Sequence, residues 1–203
     1  MSLSTSRTYG KTGQKTLYDT GREASTYNVG AVNGSTVSAV EYGSDALHQT
    51  VLTLTATPIA MVDATVQGGG VKIYDFPEGR IGILGCVASL APTTTSVIAS
   101  TINSGVVGVW SIGSAVAAAN AALTSTEADM LPSTAWTSST TIDVAAATVT
   151  GALVASSAQI DGTTTAVDMY LNACVTGATD IDADGTVTWT GTITITWIHY
   201  GDV

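Results

Sequence analysis

Thr186-Val-Thr-Trp-Thr-Gly-Thr-Ile-Thr-Ile-Thr-Trp197 alternates without a break. Thr holds every even position, and Val187, Trp189, Gly191, Ile193, Ile195 and Trp197 hold the odd ones. Successive side chains of a strand point to opposite faces, so the stretch predicts one apolar face and one hydroxyl face. Thr is β-branched and favours the extended backbone while its hydroxyl tolerates water. Two Trp on one face require a wide apolar surface opposite to receive them, and the rest of the chain is read as supplying it.

Working outward, the chain has 203 residues, enough for a sizeable core without disulfides. Charged residues are only 11% of it and mean hydropathy is +0.33. Thr makes up roughly a sixth of the residues, with Ala, Val and Gly filling much of the rest. So little charge leaves few ways to solubilise a large free surface. The composition therefore predicts either a wet Thr/Ser surface or a surface covered by other protein.

The charges are segregated. Up to Arg80 there are six basic and seven acidic side chains, a net of −1; beyond it there are nine acidic and no basic ones. No cationic footprint for nucleic acid is present, and an anionic membrane surface is disfavoured for the same reason. The first thirteen residues are polar, without the apolar centre of a signal peptide. Cys86 and Cys174 each sit in an apolar, strand-like stretch and read as buried reduced thiols.

Residues 1–46 show no sustained period and read as an extended N-terminal arm, with 47–203 as the body. Arg7, Lys11, Lys15 and Arg22 make the arm basic, and on an acidic body that invites contact with neighbouring copies. Within the arm, Asn33-Gly34 is a turn pair that could close a brief hairpin. In the body, Val51 to Thr57 alternates with Leu52, Leu54 and Ala56 on one face. Pro58 is expected to interrupt that strand, Ile59 to Val66 to continue as another, and Gly68-Gly-Gly70 to be a flexible break. Pro77-Glu-Gly79 predicts a hairpin between Val71–Phe76 and Arg80–Leu90, with Gly82 and Gly85 permitting a bulge in its second arm.

Further strands are expected at 93–100, 105–112, 140–147, 152–159, 166–176 and 186–199. Ala115 to Leu123 fits a short helix or a strand, and Thr126 to Leu131 one capped helical turn. Nine or ten short strands with turns between them and hardly any helix predict an all-β fold. The expected architecture is a two-sheet β-sandwich, jelly-roll-like, with the N-terminal arm.

Three groups of residues invite a chemical reading. Asp180, Asp182 and Asp184 before Gly185 begin like a calcium loop, since Ca²⁺ takes several oxygen ligands. The twelfth position is Gly191, not Glu, and a strand follows, so a solvated acidic turn competes with the metal reading. His48 and His199 are the only histidines, too few for a zinc site alone, and no nucleophile elbow accompanies them. Glu127 and Asp129 are the nearest carboxylate pair for glycosidase chemistry, but they lie in a polar turn without an aromatic cleft. No active site is predicted, and no cofactor beyond Ca²⁺.

Three segments carry a family resemblance: His48-Gln-Thr-Val-Leu-Thr-Leu-Thr-Ala-Thr-Pro58, Val71-Lys-Ile-Tyr-Asp-Phe-Pro-Glu-Gly-Arg-Ile81, and the end from Thr179-Asp-Ile-Asp-Ala-Asp-Gly185 to Thr196-Trp-Ile-His-Tyr-Gly-Asp202. Together they resemble the cement or decoration proteins on the heads of tailed bacteriophages, across roughly residues 47 to 203. The resemblance implies a jelly-roll-like, non-enzymatic virion protein on the capsid exterior. It implies binding to the phage major capsid protein and to itself, with a trimer favoured over a dimer, and assembly in the host cytoplasm. A β-sandwich binding module of fibre or adhesin type, holding Ca²⁺ or sugar, is the alternative expectation, and a β-sandwich hydrolase a distant third.

Overall fold

The computed structural model describes residues 30–44, 46–61, 68–94, 107–117, 122–137, 147–150, 160–175 and 185–201. Eleven strands run through them: β1 (Ala31–Val32), β2 (Val37–Ser44), β3 (Leu47–Met61), β4 (Gly68–Asp75), β5 (Gly79–Thr94), β6 (Val107–Gly113), β7 (Leu131–Thr137), β8 (Ala147–Thr150), β9 (Ile160–Gly162), β10 (Asp168–Val175) and β11 (Gly185–His199). One sheet has the order β2-β3-β11-β5-β8, with β9 also pairing β5; the other has the order β1-β4-β10-β6-β7. Every pairing is antiparallel. The protein is an all-β, two-sheet sandwich. Among the described residues no helix is long and apolar enough to cross a membrane.

The 186–197 stretch lies at the centre of the first sheet as β11, between β3 and β5. Val187, Trp189, Ile193, Ile195 and Trp197 are all fully buried, and the Thr side chains between them face outward. The apolar surface that the two Trp require comes largely from the opposite sheet. Trp189 meets Trp110 of β6 and Trp136 of β7, each with ring centroids 6.0 Å away. Nearer the other end of the strand, Trp197 takes Phe76 edge-on at 5.2 Å, and Phe76 meets Tyr74 of β4 at 5.1 Å. Offset and edge-to-face aromatic pairs add about 0.5–1.5 kcal/mol each beyond area burial, so the two sheets are held at both ends of β11.

Alternation in β11 is unbroken because the irregularities fall on its neighbours. Between the Trp189↔Thr57 and Gly191↔Leu54 pairs, β3 has one residue more than β11. Ala56 takes up the excess at φ 50. Leu52 and Leu54 are buried as expected, but parity then flips: Ala56 is exposed, and Thr57 and Ile59 are buried. Likewise β5 has an extra residue at Leu84, between the Trp197↔Ile83 and Thr196↔Gly85 pairs, so a bulge falls beside Gly85.

Several local expectations give way to tertiary pairing. Pro58 does not end β3. It lies beyond Leu54, where β2 no longer pairs, so that edge loses no ladder bond to the missing N–H. Gly68-Gly-Gly70 is not a break but the start of β4, opposite Asn172, Ala173 and Cys174. The Pro77-Glu-Gly79 turn exists, with Gly79 at φ 125, but it closes no hairpin. It carries the chain from β4 in one sheet to β5 in the other. Asn33-Gly34 similarly turns, with Gly34 at φ 85, between β1 and β2 of different sheets. Both strands fall inside the span expected as an arm up to residue 46, so residues 30–44 belong to the sandwich. Residues 1–29 lie outside the described residues.

Candidate functional site

The outward face of the β11 sheet is the most distinctive surface. Register places its side chains in rows across β2, β3, β11 and β5: Ser38, Thr53, Thr192, Ser89; then Val40, Val51, Thr194, Val87; then Tyr42, Gln49, Thr196, Gly85. None of these positions is charged, in a chain with a net charge of −10. Strands lie about 4.8 Å apart, so four of them make a platform about 14 Å across. Val40 and Val87 are 45% and 42% exposed, and Leu47 at one end of β3 is also exposed. The face ends at the Arg80↔Asp161 pair, where β9 joins β5. Hydrogen bonds from the Thr163 hydroxyl and amide hold the Asp161 carboxyl below its ordinary range, with a smaller contribution from Arg80. A broad uncharged face of hydroxyls and methyls has few groups that must be desolvated expensively. It is suited to contact with protein.

Directly beneath this platform lies a buried polar cluster. The even parity of β3 that buries Leu52 and Leu54 also turns His48 and Thr50 inward, and Glu41 comes in from β2. The Thr50 hydroxyl donates to Glu41 Oε1 at 3.0 Å and accepts from Trp197 Nε1 at 2.8 Å. His48 stacks on Trp197, with centroids 4.2 Å apart and planes 11° from parallel, and its Nδ1 is 3.8 Å from Glu41 Oε1. The Gly30 amide donates to both Glu41 Oε2, at 3.2 Å, and the Tyr74 hydroxyl oxygen, at 2.9 Å. Burial, with the Glu41 carboxylate beside it, holds the Tyr74 hydroxyl well above the ordinary phenol range. The cluster is closed off from solvent among the described residues: Glu41 is 7% exposed, His48 and Thr50 not at all. Its arrangement fastens the chain at Gly30 to both sheets.

The opposite sheet carries a second polar assembly. Asn172 of β10 is fully buried; its Nδ2 donates to the carbonyls of Ala115 and Glu127, and its Oδ1 accepts from the Ala117 amide. The expected helical turn is a 3-10 turn at Ser125–Glu127, where Glu127 Oε2 accepts from the Thr124 amide. Asp129 accepts from the Ser114 amide and hydroxyl at 2.8 and 2.6 Å. Glu127 and Asp129, the carboxylate pair considered for glycosidase chemistry, are thus occupied in folding the loop over β6 and β10. On the same sheet, Lys72 Nζ bridges Asp168 at 2.7 Å and Asp75 at 3.2 Å, and the Tyr170 hydroxyl donates to Asp168 at 2.8 Å.

Cys86 and Cys174 are free and buried. Burial raises both thiols, Cys86 to about 12 and Cys174 to about 11. Asp180, Asp182 and Asp184, and the basic Arg7, Lys11, Lys15 and Arg22, lie outside the described residues. Among the described residues no three His, Cys, Asp or Glu side chains gather as a metal site. The platform and the cluster beneath it escape a reading by motif because they arise from register between strands far apart in sequence. The parity shared by His48, Thr50 and Leu52 is the one local signal for the cluster. No family model, curated protein or solved structure matches the chain.

Proposed function

We propose that this protein is a structural assembly subunit, a cement or decoration protein that binds the major capsid protein on the outside of a tailed-phage head. The observation that carries the reading is the uncharged platform of the β11 sheet on a protein of net charge −10. Such a face can be buried across a boundary between shell subunits without stranding charge, and burial there favours the intact shell by mass action. The rigid aromatic interior behind it keeps the platform in shape. The strand orders support a jelly-roll assignment: β3-β11-β5-β8 faces β4-β10-β6-β7, and the chain crosses repeatedly between the two sets. The three sequence segments that resemble head cement proteins fall on β3, on the β4–β5 crossover and, in their described part, largely on β11. No enzymatic role is assigned.

The test is binding to capsids. Mass spectrometry and cryo-microscopy of virions from cells producing the protein should find it on the head exterior. Thr53→Lys, exposed on the platform, should reduce its occupancy at least tenfold while leaving the melting temperature in place, because exposed substitutions change stability by under about 0.5 kcal/mol. Virions whose heads lack the protein would overturn the reading.

A further inference from the structure

The crossing between β1 and β2, from one sheet to the other, is fastened by hydrogen bonds and not by packing. Ala31, Val32, Asn33, Gly34 and Ser35 are all exposed, so their side chains bury little apolar surface. β1 contributes two pairs on β4, Ala31↔Asp75 and Val32↔Tyr74. The Asn33 amide donates to the Ile73 carbonyl at 3.3 Å, long for such a bond. A Cβ on Gly34 would meet nothing within 4 Å.

The two ends of this segment are held differently. At Thr36 the chain is gripped by β3: the Thr36 carbonyl accepts from the Thr55 amide at 2.8 Å and from the Thr57 hydroxyl at 3.2 Å, and Val37 beyond it is buried. At Gly30 a single amide does the holding, donating to Glu41 Oε2 and to the Tyr74 hydroxyl oxygen. That seat fits only glycine, because a Cβ there would run into the Asp75 carbonyl oxygen and the Tyr74 ring. From Gly30 the hydrogen bonds lead inward through Glu41 and Thr50 to the Trp197 indole.

We propose that residues 30–35 are a strap, hinged at Thr36 and latched at Gly30, that opens on its own while both sheets stay folded and so admits water to the buried cluster of Glu41, Thr50 and Trp197. Local openings draw on segments with little buried apolar area and solvent-exposed hydrogen bonds, and both conditions meet here in one short stretch. Closed, the strap ties Tyr74 of β4 in one sheet to Glu41 of β2 in the other. Open, it frees six residues, roughly 20 Å of extended chain, and uncovers the Glu41 carboxylate and the Tyr74 hydroxyl. The inference goes beyond capsid binding, does not rest on it, and is read out without capsids.

The experiment is native-state hydrogen exchange by NMR on the full chain, repeated over low concentrations of urea. Three readouts are compared: the amides of Gly30 and Asn33, the indole N–H of Trp197, and the amides of Ile193 and Ile195. The last two lie at the centre of β11, paired on both sides, and serve as the reference for global unfolding. In wild type the strap amides and the Trp197 indole should exchange at least tenfold faster than the reference, with little dependence on urea, because opening exposes little surface. Gly30→Ala should widen that ratio at least tenfold further, since its Cβ cannot be seated. Tyr74→Phe takes away one acceptor of the Gly30 amide and adds no bulk; it should widen the ratio too, and it keeps the test open if Gly30→Ala does not fold. Strap amides that exchange only together with Ile193 and Ile195, at the same urea dependence, would overturn the proposal. So would a Trp197 indole that stays with the reference, or ratios that neither variant moves.

Discussion

Thr50 both gives and takes a hydrogen bond: its hydroxyl donates to Glu41 and accepts from the Trp197 indole. Replacing it with Val keeps the shape but leaves a buried N–H and a buried carboxylate oxygen short of a partner, at about 1–3 kcal/mol per group. Thr50→Val should therefore lower unfolding free energy in urea by about 2 kcal/mol or more, and Thr50→Ser by much less. A loss within error for Thr50→Val would show that the cluster does not brace the fold. Lys72 and Asp168 give a pH prediction. The hydrogen bond to Asp168 raises Lys72 against the opposing effect of burial. Burial works to raise Asp168, but bonds from Lys72 and Tyr170 outweigh it and leave the carboxyl below its ordinary range. A lowered carboxyl stabilises above its unfolded pKa of about 3.9, and that contribution fades as pH falls through the folded value. A raised amine stabilises below its unfolded pKa of about 10.4, and that contribution fades as pH rises through the folded value. The bridge should thus contribute evenly from about pH 5 to 9, and Lys72→Met should cost under about 1 kcal/mol there, as exposed pairs do. Denaturation of both proteins across pH checks this: their difference should shrink at both extremes.

At the scale of the strand, β11 is the element most sensitive to change, because it is paired on both sides. Gly191 sits at φ 142, and a Cβ there would run into the Ser89 carbonyl oxygen and stand 3.0 Å from Leu90 Cα. Both are backbone atoms of β5 and cannot swing away. Gly191→Ala should cost more than the ~1 kcal/mol of an ordinary incompatible glycine replacement, read as a lower melting temperature. An unchanged melt would mean that β5 yields freely. The same strand shows what was legible in the sequence. Its alternation survives in the fold because the extra residues at Ala56 and Leu84 sit on its neighbours. Those two bulges are also why β3 and β5 were less legible: each changes parity midway, and Ala56 turns from expected core to surface. The Pro77-Glu-Gly79 turn misleads for a different reason. Turn chemistry fixes a change of direction, but not whether the next strand pairs with the last or crosses to the other sheet. The cluster of Glu41, His48, Thr50 and Trp197 was illegible as a site, since its members come from three strands and meet only through register.

Across the whole molecule, charge decides how copies meet. A net charge of −10 makes two free bodies repel, and screening shortens the reach of that repulsion from about 10 Å in 0.1 M salt to about 3 Å in 1 M. Contact between copies through the uncharged platform gains nothing from opposite charges, so salt should act only by weakening the repulsion. Self-association through that face should tighten severalfold as salt rises from about 0.05 to 0.5 M, where the Debye length falls severalfold. A contact built from the basic side chains Arg7, Lys11, Lys15 and Arg22 on an acidic neighbour has the opposite sign, because salt screens attraction just as it screens repulsion. Sedimentation equilibrium over that range separates the two. Tightening with salt supports contact through the platform; loosening would place the association on the basic N-terminal residues.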